Sequence, residues 1–204
     1  MAKLHVFFGS AFLILVSCLA HGQDDSSVSC PFFPDQEVRA HDLPLLTAPS
    51  KNTSAVLATA LEITLHDKAV CCGKDSALED AVLSDPRSLQ ELSPKLQGRH
   101  LLSDGRPIVV NAEYVPRTSV NSGLVIRALL EQHAPLIEWK AHFYVLYGAV
   151  FNETRCPSGG QYAIHKLLLL DPRFSDERRE VVFNRDTDDW EKVQGLVIPV
   201  VAPQ

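Results

Sequence analysis

Three positions spread along the chain carry side chains that could serve as a thiolate nucleophile, its base and an orienting group. They are Cys72, within Cys71-Cys72-Gly73 at the start of a helix-like run, His142 at the head of a strand-like run, and Asp171 at the close of another. A thiol attacks as the thiolate, and the unpaired N–H groups and dipole of a helix start favour that anion. An imidazole nearby strengthens it as an ion pair, and a carboxylate on the other ring nitrogen fixes the useful tautomer. Each residue also has a structural role that competes with this one. The cysteines can bridge to Cys30 or Cys156, His142 beside Tyr144 and Tyr147 can be a core histidine bonded to carbonyls, and Asp171-Pro172 is a favoured turn start.

The elements that must position these side chains read as follows. From Gln23 to Ser54 the chain is rich in Ser, Asp and Pro without sustained period, which predicts an extended arm lying on the domain. The stretch from Ala55 to Leu65 reads as helix or strand. Ala77, Leu78, Ala81 and Val82 recur at helical spacing behind Cys72-Gly73, with Asp75 or Ser76 as cap and Asp85-Pro86 as the stop. Ser88 to Leu96 gives another helical turn or two. Asp104-Gly105-Arg106-Pro107 is a tight turn into the strand Ile108-Val109-Val110.

Asn121 or Ser122 caps a helix through Glu131, since Val125, Leu129 and Leu130 share a face. His142 to Phe151 and Gln161 to Leu170 read as two strands of a hairpin, joined by a long loop from Asn152 to Gly160 that holds Cys156. Asp171-Pro172 ends the second, because the residue before proline is pushed out of the helical region. Glu180 to Asn184 and Gly195 to Val201 are further strands. Helices early and mainly antiparallel strands late make an α+β domain.

Taken together, these motifs resemble the papain-like cysteine peptidases. The Cys72-Gly73 start followed by Ser76-Ala77-Leu78 is similar to the helix start of the bacteriocin-processing type, and Gly105-Arg106-Pro107-Ile108-Val109-Val110 to the strand before its histidine. Ala141-His142-Phe143-Tyr144-Val145-Leu146-Tyr147-Gly148 resembles the histidine strand, and Leu168-Leu169-Leu170-Asp171-Pro172 the Asp-Pro strand end. Leu129-Leu130 with Ala134-Pro135-Leu136-Ile137 resembles the helix and Pro-Leu strand that lead into the histidine of secreted members. The likeness runs from about Leu65 to Arg173.

It implies a papain-like fold, with N-terminal helices packed on a mainly antiparallel sheet. It also implies Cys72 as nucleophile, His142 as general base and then acid, and Asp171 as orienter, acting on a peptide or protein, with Cys71 as the alternative nucleophile. The family usually presents a Gln about six residues before the cysteine as oxyanion donor; His66 stands there and is the candidate donor. Losing one such donor typically costs about 2.7 to 4 kcal/mol of transition-state stabilisation. Ala141 replaces a usual Gly, and Lys74 a small residue or Pro. The other reading is a non-catalytic secreted or envelope-associated binding module with the same fold and disulfide-bonded cysteines.

Composition bounds the rest. Residues 1–22 read as an export signal, with Lys3 before the apolar run His5 to Val16 and small residues after it. Ala20-His21-Gly22 suits signal-peptidase cleavage before Gln23. Leu15-Val16-Ser17-Cys18 resembles a bacterial lipobox, which would anchor the chain to a membrane through a lipid on Cys18. The expected location is thus the bacterial periplasm, the exterior or the envelope. The division is a signal at 1–22, an arm at 23–54 and one domain at 55–204.

Losing residues 1–22 removes Lys3 and no acid from 19 basic and 25 acidic residues, leaving a charge of −7, which disfavours nucleic acid as a partner. Four cysteines then remain, Cys30, Cys71, Cys72 and Cys156. They fit two bridges, or a Cys30–Cys156 bridge plus a reactive thiol and its neighbour. A vicinal Cys71–Cys72 bridge would strain the peptide. His100, His133 and His165 lack the close spacing of a zinc site, and Asp186 to Glu191 lacks the Gly and alternating ligands of a calcium loop. With no phosphate loop or dinucleotide fingerprint either, no metal or other cofactor is expected.

Overall fold

The computed structural model describes residues 29–65, 86–101, 105, 107–174, 178–182 and 192–202. Cys71, Cys72 and His66, with the helix expected behind Cys72, lie outside these residues, as does the export signal. The described chain is α+β, with three helices and eight strands. Strand β1 spans Phe32–Arg39, α1 Thr53–Leu65, α2 Leu89–Leu96, β2 Gly98–Leu101 and β3 Pro107–Pro116. A short 3-10 turn at Arg117–Ser119 leads to α3, Ser122–Leu130. Then come β4 (Leu136–Trp139), β5 (His142–Cys156), β6 (Gly159–Leu170), β7 (Arg178–Val182) and β8 (Val193–Ala202).

Every recorded strand pair is antiparallel, in the order β2-β3-β8-β4-β5-β6-β7. The same edge of β5 serves two partners in turn: β4 takes His142 to Val145, and β1 takes Gly148 to Thr154. The arm is therefore part of the sheet, with Val38 opposite Ala149. Gly148 is needed at this crossing, because a Cβ there would lie 2.8 Å from the Val38 carbonyl oxygen and 3.0 Å from Leu168.

Local chemistry accounts for the helix starts. Asn52 accepts the Ala55 N–H at 2.8 Å ahead of α1, Ser88 accepts Glu91 N–H at 3.2 Å at α2, and Asn121 accepts Leu124 N–H at 3.0 Å at α3. Leu89, Leu92 and Leu96 bury one face of α2 against β3 and β8, while α3 packs on β6, β1 and β5. Val56, Leu57, Ala60, Leu61, Ile63 and Leu65 bury most of α1 against β5, β8 and β4. Among the described residues, no helix is long and apolar enough to cross a membrane.

The β5–β6 pair is longer than the sequence suggests. The expected loop from Asn152 to Gly160 is mostly strand, and only Pro157 and Ser158 separate Cys156 from its partner Gly159, whose φ of 125° suits glycine. Polar residues continue the strand here because β1 supplies backbone partners and Cys30 is bonded to Cys156. That disulfide fits the exported character expected from residues 1–22.

Candidate functional site

His142 owes its position to a two-residue turn. Trp139 on β4 pairs with His142 on β5, and the intervening Lys140 and Ala141 have φ of 50° and 58°. Two left-handed residues make the tight hairpin connection that matches strand twist. Neither is Gly or Asn, so the turn is strained, by roughly 1–2 kcal/mol per residue. Neighbouring groups hold it: Ala141 N–H donates to Gln194 Oε1 at 3.1 Å, Lys140 N–H to the Lys192 carbonyl at 3.5 Å, and the Lys140 ammonium stands 4.6 Å over the Trp139 ring.

The imidazole of His142 is exposed and makes no hydrogen bond among the described residues. It lines a recess of about 490 Å³ with Trp139, Lys140, Tyr144, Glu180 and Val181. Tyr144, two residues along the same strand, is almost wholly buried and meets Trp139 edge-on with ring centroids 6.2 Å apart. The Trp139 Nε1–H is buried with no hydrogen-bond acceptor among the described residues.

Asp171 sits where β6 ends, 2% exposed. One step beyond the Val145–Leu170 pair, it is level with Tyr144. Both of its oxygens face Arg173: Nε donates to Oδ1 at 2.8 Å, Nη2 to Oδ2 at 2.6 Å, and the Arg173 backbone N–H to Oδ1 at 3.1 Å. The same Nη2 donates to the Tyr144 hydroxyl at 3.2 Å. These bonds hold the Arg173 guanidinium above its ordinary pKa, against the opposing effect of burial.

The arm reaches this corner too. Ala48 N–H donates to the Pro172 carbonyl at 2.7 Å, and the Lys51 ammonium lies 4.7 Å from the Phe174 ring centroid.

The structure thus brings His142, Tyr144 and Trp139 around one recess and ties Tyr144 to Asp171 through Arg173. Arg173 was not among the residues that the sequence singled out for the site. Its signal was the Asp-Pro-Arg order, which lets a guanidinium turn back on the carboxylate two residues before it. Cys72, Cys71 and His66 fall outside the described residues; α1 ends at Leu65, next to His66. Cys30 and Cys156 are bonded to one another. Among the described residues, no three His, Cys, Asp or Glu side chains gather as metal ligands. Scanned against protein-family models, the curated proteins and the solved structures, the chain finds no match.

Proposed function

We propose that the chain is an exported papain-like cysteine peptidase, or a related acyl-transfer enzyme, with Cys72 as nucleophile and His142 as its acid and base. The observation that carries this reading is the pairing of β5 with β6. It sets an exposed imidazole and a buried carboxylate at the same end of neighbouring strands, two residues out of register, beside an open aromatic-walled recess.

The Cys30–Cys156 bridge adds support, because it occupies the two cysteines that Cys71 and Cys72 would otherwise bridge to. Within a mature chain beginning at Gln23, only the strained vicinal pairing would then remain for them.

In this mechanism the Cys72 thiolate attacks the substrate carbonyl carbon and forms a tetrahedral oxyanion, which His66 meets as a hydrogen-bond donor. The C–N bond breaks as the His142 imidazolium gives its proton to the leaving amine. His142 then takes a proton from water, whose oxygen attacks the thioester, and the C–S bond breaks to release the acid and restore the thiolate beside the imidazolium. Asp171 orients the site by way of Arg173 and Tyr144. The substrate is a peptide or protein, met in the periplasm, outside the cell or, with a lipid on Cys18, at the envelope.

One observation favours a second reading, a non-catalytic binding module of the same fold. Both Asp171 oxygens are engaged by Arg173, as in a purely structural clamp.

Native-state alkylation separates the two. Iodoacetamide at neutral pH, followed by peptide mapping, is expected to label Cys72 in the wild type and to label it more slowly in His142→Ala. Turnover on a peptide library is expected to vanish in Cys72→Ser. Finding both Cys71 and Cys72 in disulfides, or turnover unchanged by Cys72→Ser, would sink the peptidase reading.

A further inference from the structure

A second cavity, of about 260 Å³, lies where the end of β1 meets β5 and the start of β7. Arg39, Tyr147, Leu170 and Arg178 line it, and the segment after β1 closes it with Asp42, Leu43 and Leu45. Tyr147 stands at an irregularity in the β5–β6 pairing, between Leu146 and Gly148. It is only 7% exposed, and its hydroxyl has no hydrogen-bond partner among the described residues. The ring is buried while the hydroxyl is left to solvent at the cavity, where a polar atom of a ligand can take the place of water.

The charges around the phenol are unequal in availability. Arg178 lies with its guanidinium carbon 5.6 Å from the Tyr147 ring centroid and has no carboxylate in ion-pair reach among the described residues. Arg39 bonds Glu37 through Nε, which leaves its terminal nitrogens for another acceptor. Glu180, the other acid near the phenol, is held by Lys166 at 2.7 Å. Asp42 is the opposing carboxylate on the wall, and it is exposed to solvent.

We propose that this cavity binds a small carboxylate ligand, its oxygens meeting the Tyr147 hydroxyl and the Arg39 and Arg178 guanidiniums and its apolar tail lying on Leu43 and Leu45. Two guanidinium forks match a carboxylate geometrically. Glu37 offsets Arg39 and Asp42 stands against Arg178, so a carboxylate is held here by the matched forks and not by a net positive field. The volume is that of about eight waters, enough for a carboxyl group and a few carbons. The site uses none of Cys72, His142 or Asp171, so its test is read independently of the proposed peptidase activity.

The test is a titration of the full chain at low salt with hexanoate, hexanamide and inorganic phosphate, followed by amide chemical shifts. Hexanoate is expected to saturate in about the millimolar range, with hexanamide at least about tenfold weaker. Arg178→Gln, at an exposed position, and Tyr147→Phe, which keeps the ring, are each expected to weaken hexanoate about tenfold while leaving the unfolding midpoint near the wild-type value. Equal binding of the amide, no saturable hexanoate binding, unchanged affinity in both variants, or phosphate binding without hexanoate binding would each overturn the proposal.

Discussion

The two ends of the β5–β6 hairpin are held by opposite means. At the Cys156 end burial alternates and is thin, so cross-links do the holding: the disulfide to Cys30, the Arg155–Glu153 ion pair at 2.8 Å, Arg155 4.4 Å over the Phe33 ring, and the Phe151–Tyr162 edge contact. At the His142 end the run from Phe143 to Ala149 is buried without a break. That burial supports a strained turn, a buried ion pair and an exposed imidazole. Covalent constraint serves where apolar burial is scarce, and burial sustains strain where a reactive group has to be displayed.

The largest expected effect tests the buried end. Arg173→Ala leaves the Asp171 carboxylate without its guanidinium and is expected to cost about 3–5 kcal/mol in urea unfolding. Replacing Cys30 and Cys156 together by Ser is expected to cost about 2–5 kcal/mol, since the bridge closes a long loop. If the second loss matched or exceeded the first, burial would not be the stronger of the two means of holding the hairpin. Ala141→Gly relieves a left-handed alanine and is expected to add up to about 1 kcal/mol, part of the gain being lost to the freer unfolded chain. His142→Ala is expected to move stability by less than about 0.5 kcal/mol, because the side chain is exposed. A large loss there would mean that His142 serves the fold.

The helix after Asn121 was legible because cap and apolar spacing agree, and Ser88 to Leu96 was legible only as a helical turn or two. The antiparallel α+β character followed from the later strand-like runs. β1 was hidden: apart from Val38 its side chains are not buried, so it pairs by backbone and carries little apolar pattern. β2, four residues long with no buried side chain, is hidden for the same reason. The overlong loop at Asn152 was read from polarity, whereas those residues gain their strand from β1 and the disulfide.

Of the candidate site, His142 and Asp171 were legible as strand ends. The Arg173 link between Asp171 and Tyr144 was not, since only the folded turn brings the guanidinium back over the carboxylate. Ala141 in place of glycine was noted in the sequence, but its meaning, a left-handed residue beside the imidazole, needs the backbone.

Because sulfur joins residue 30 to residue 156, the backbone between them is one arc of a covalent ring. A single protease cut anywhere inside that arc leaves one molecule, whose pieces part on a gel only after reduction. Trimming ahead of Cys30 releases a peptide outright. Processing of this chain is therefore read correctly only when reduced and unreduced samples are run side by side.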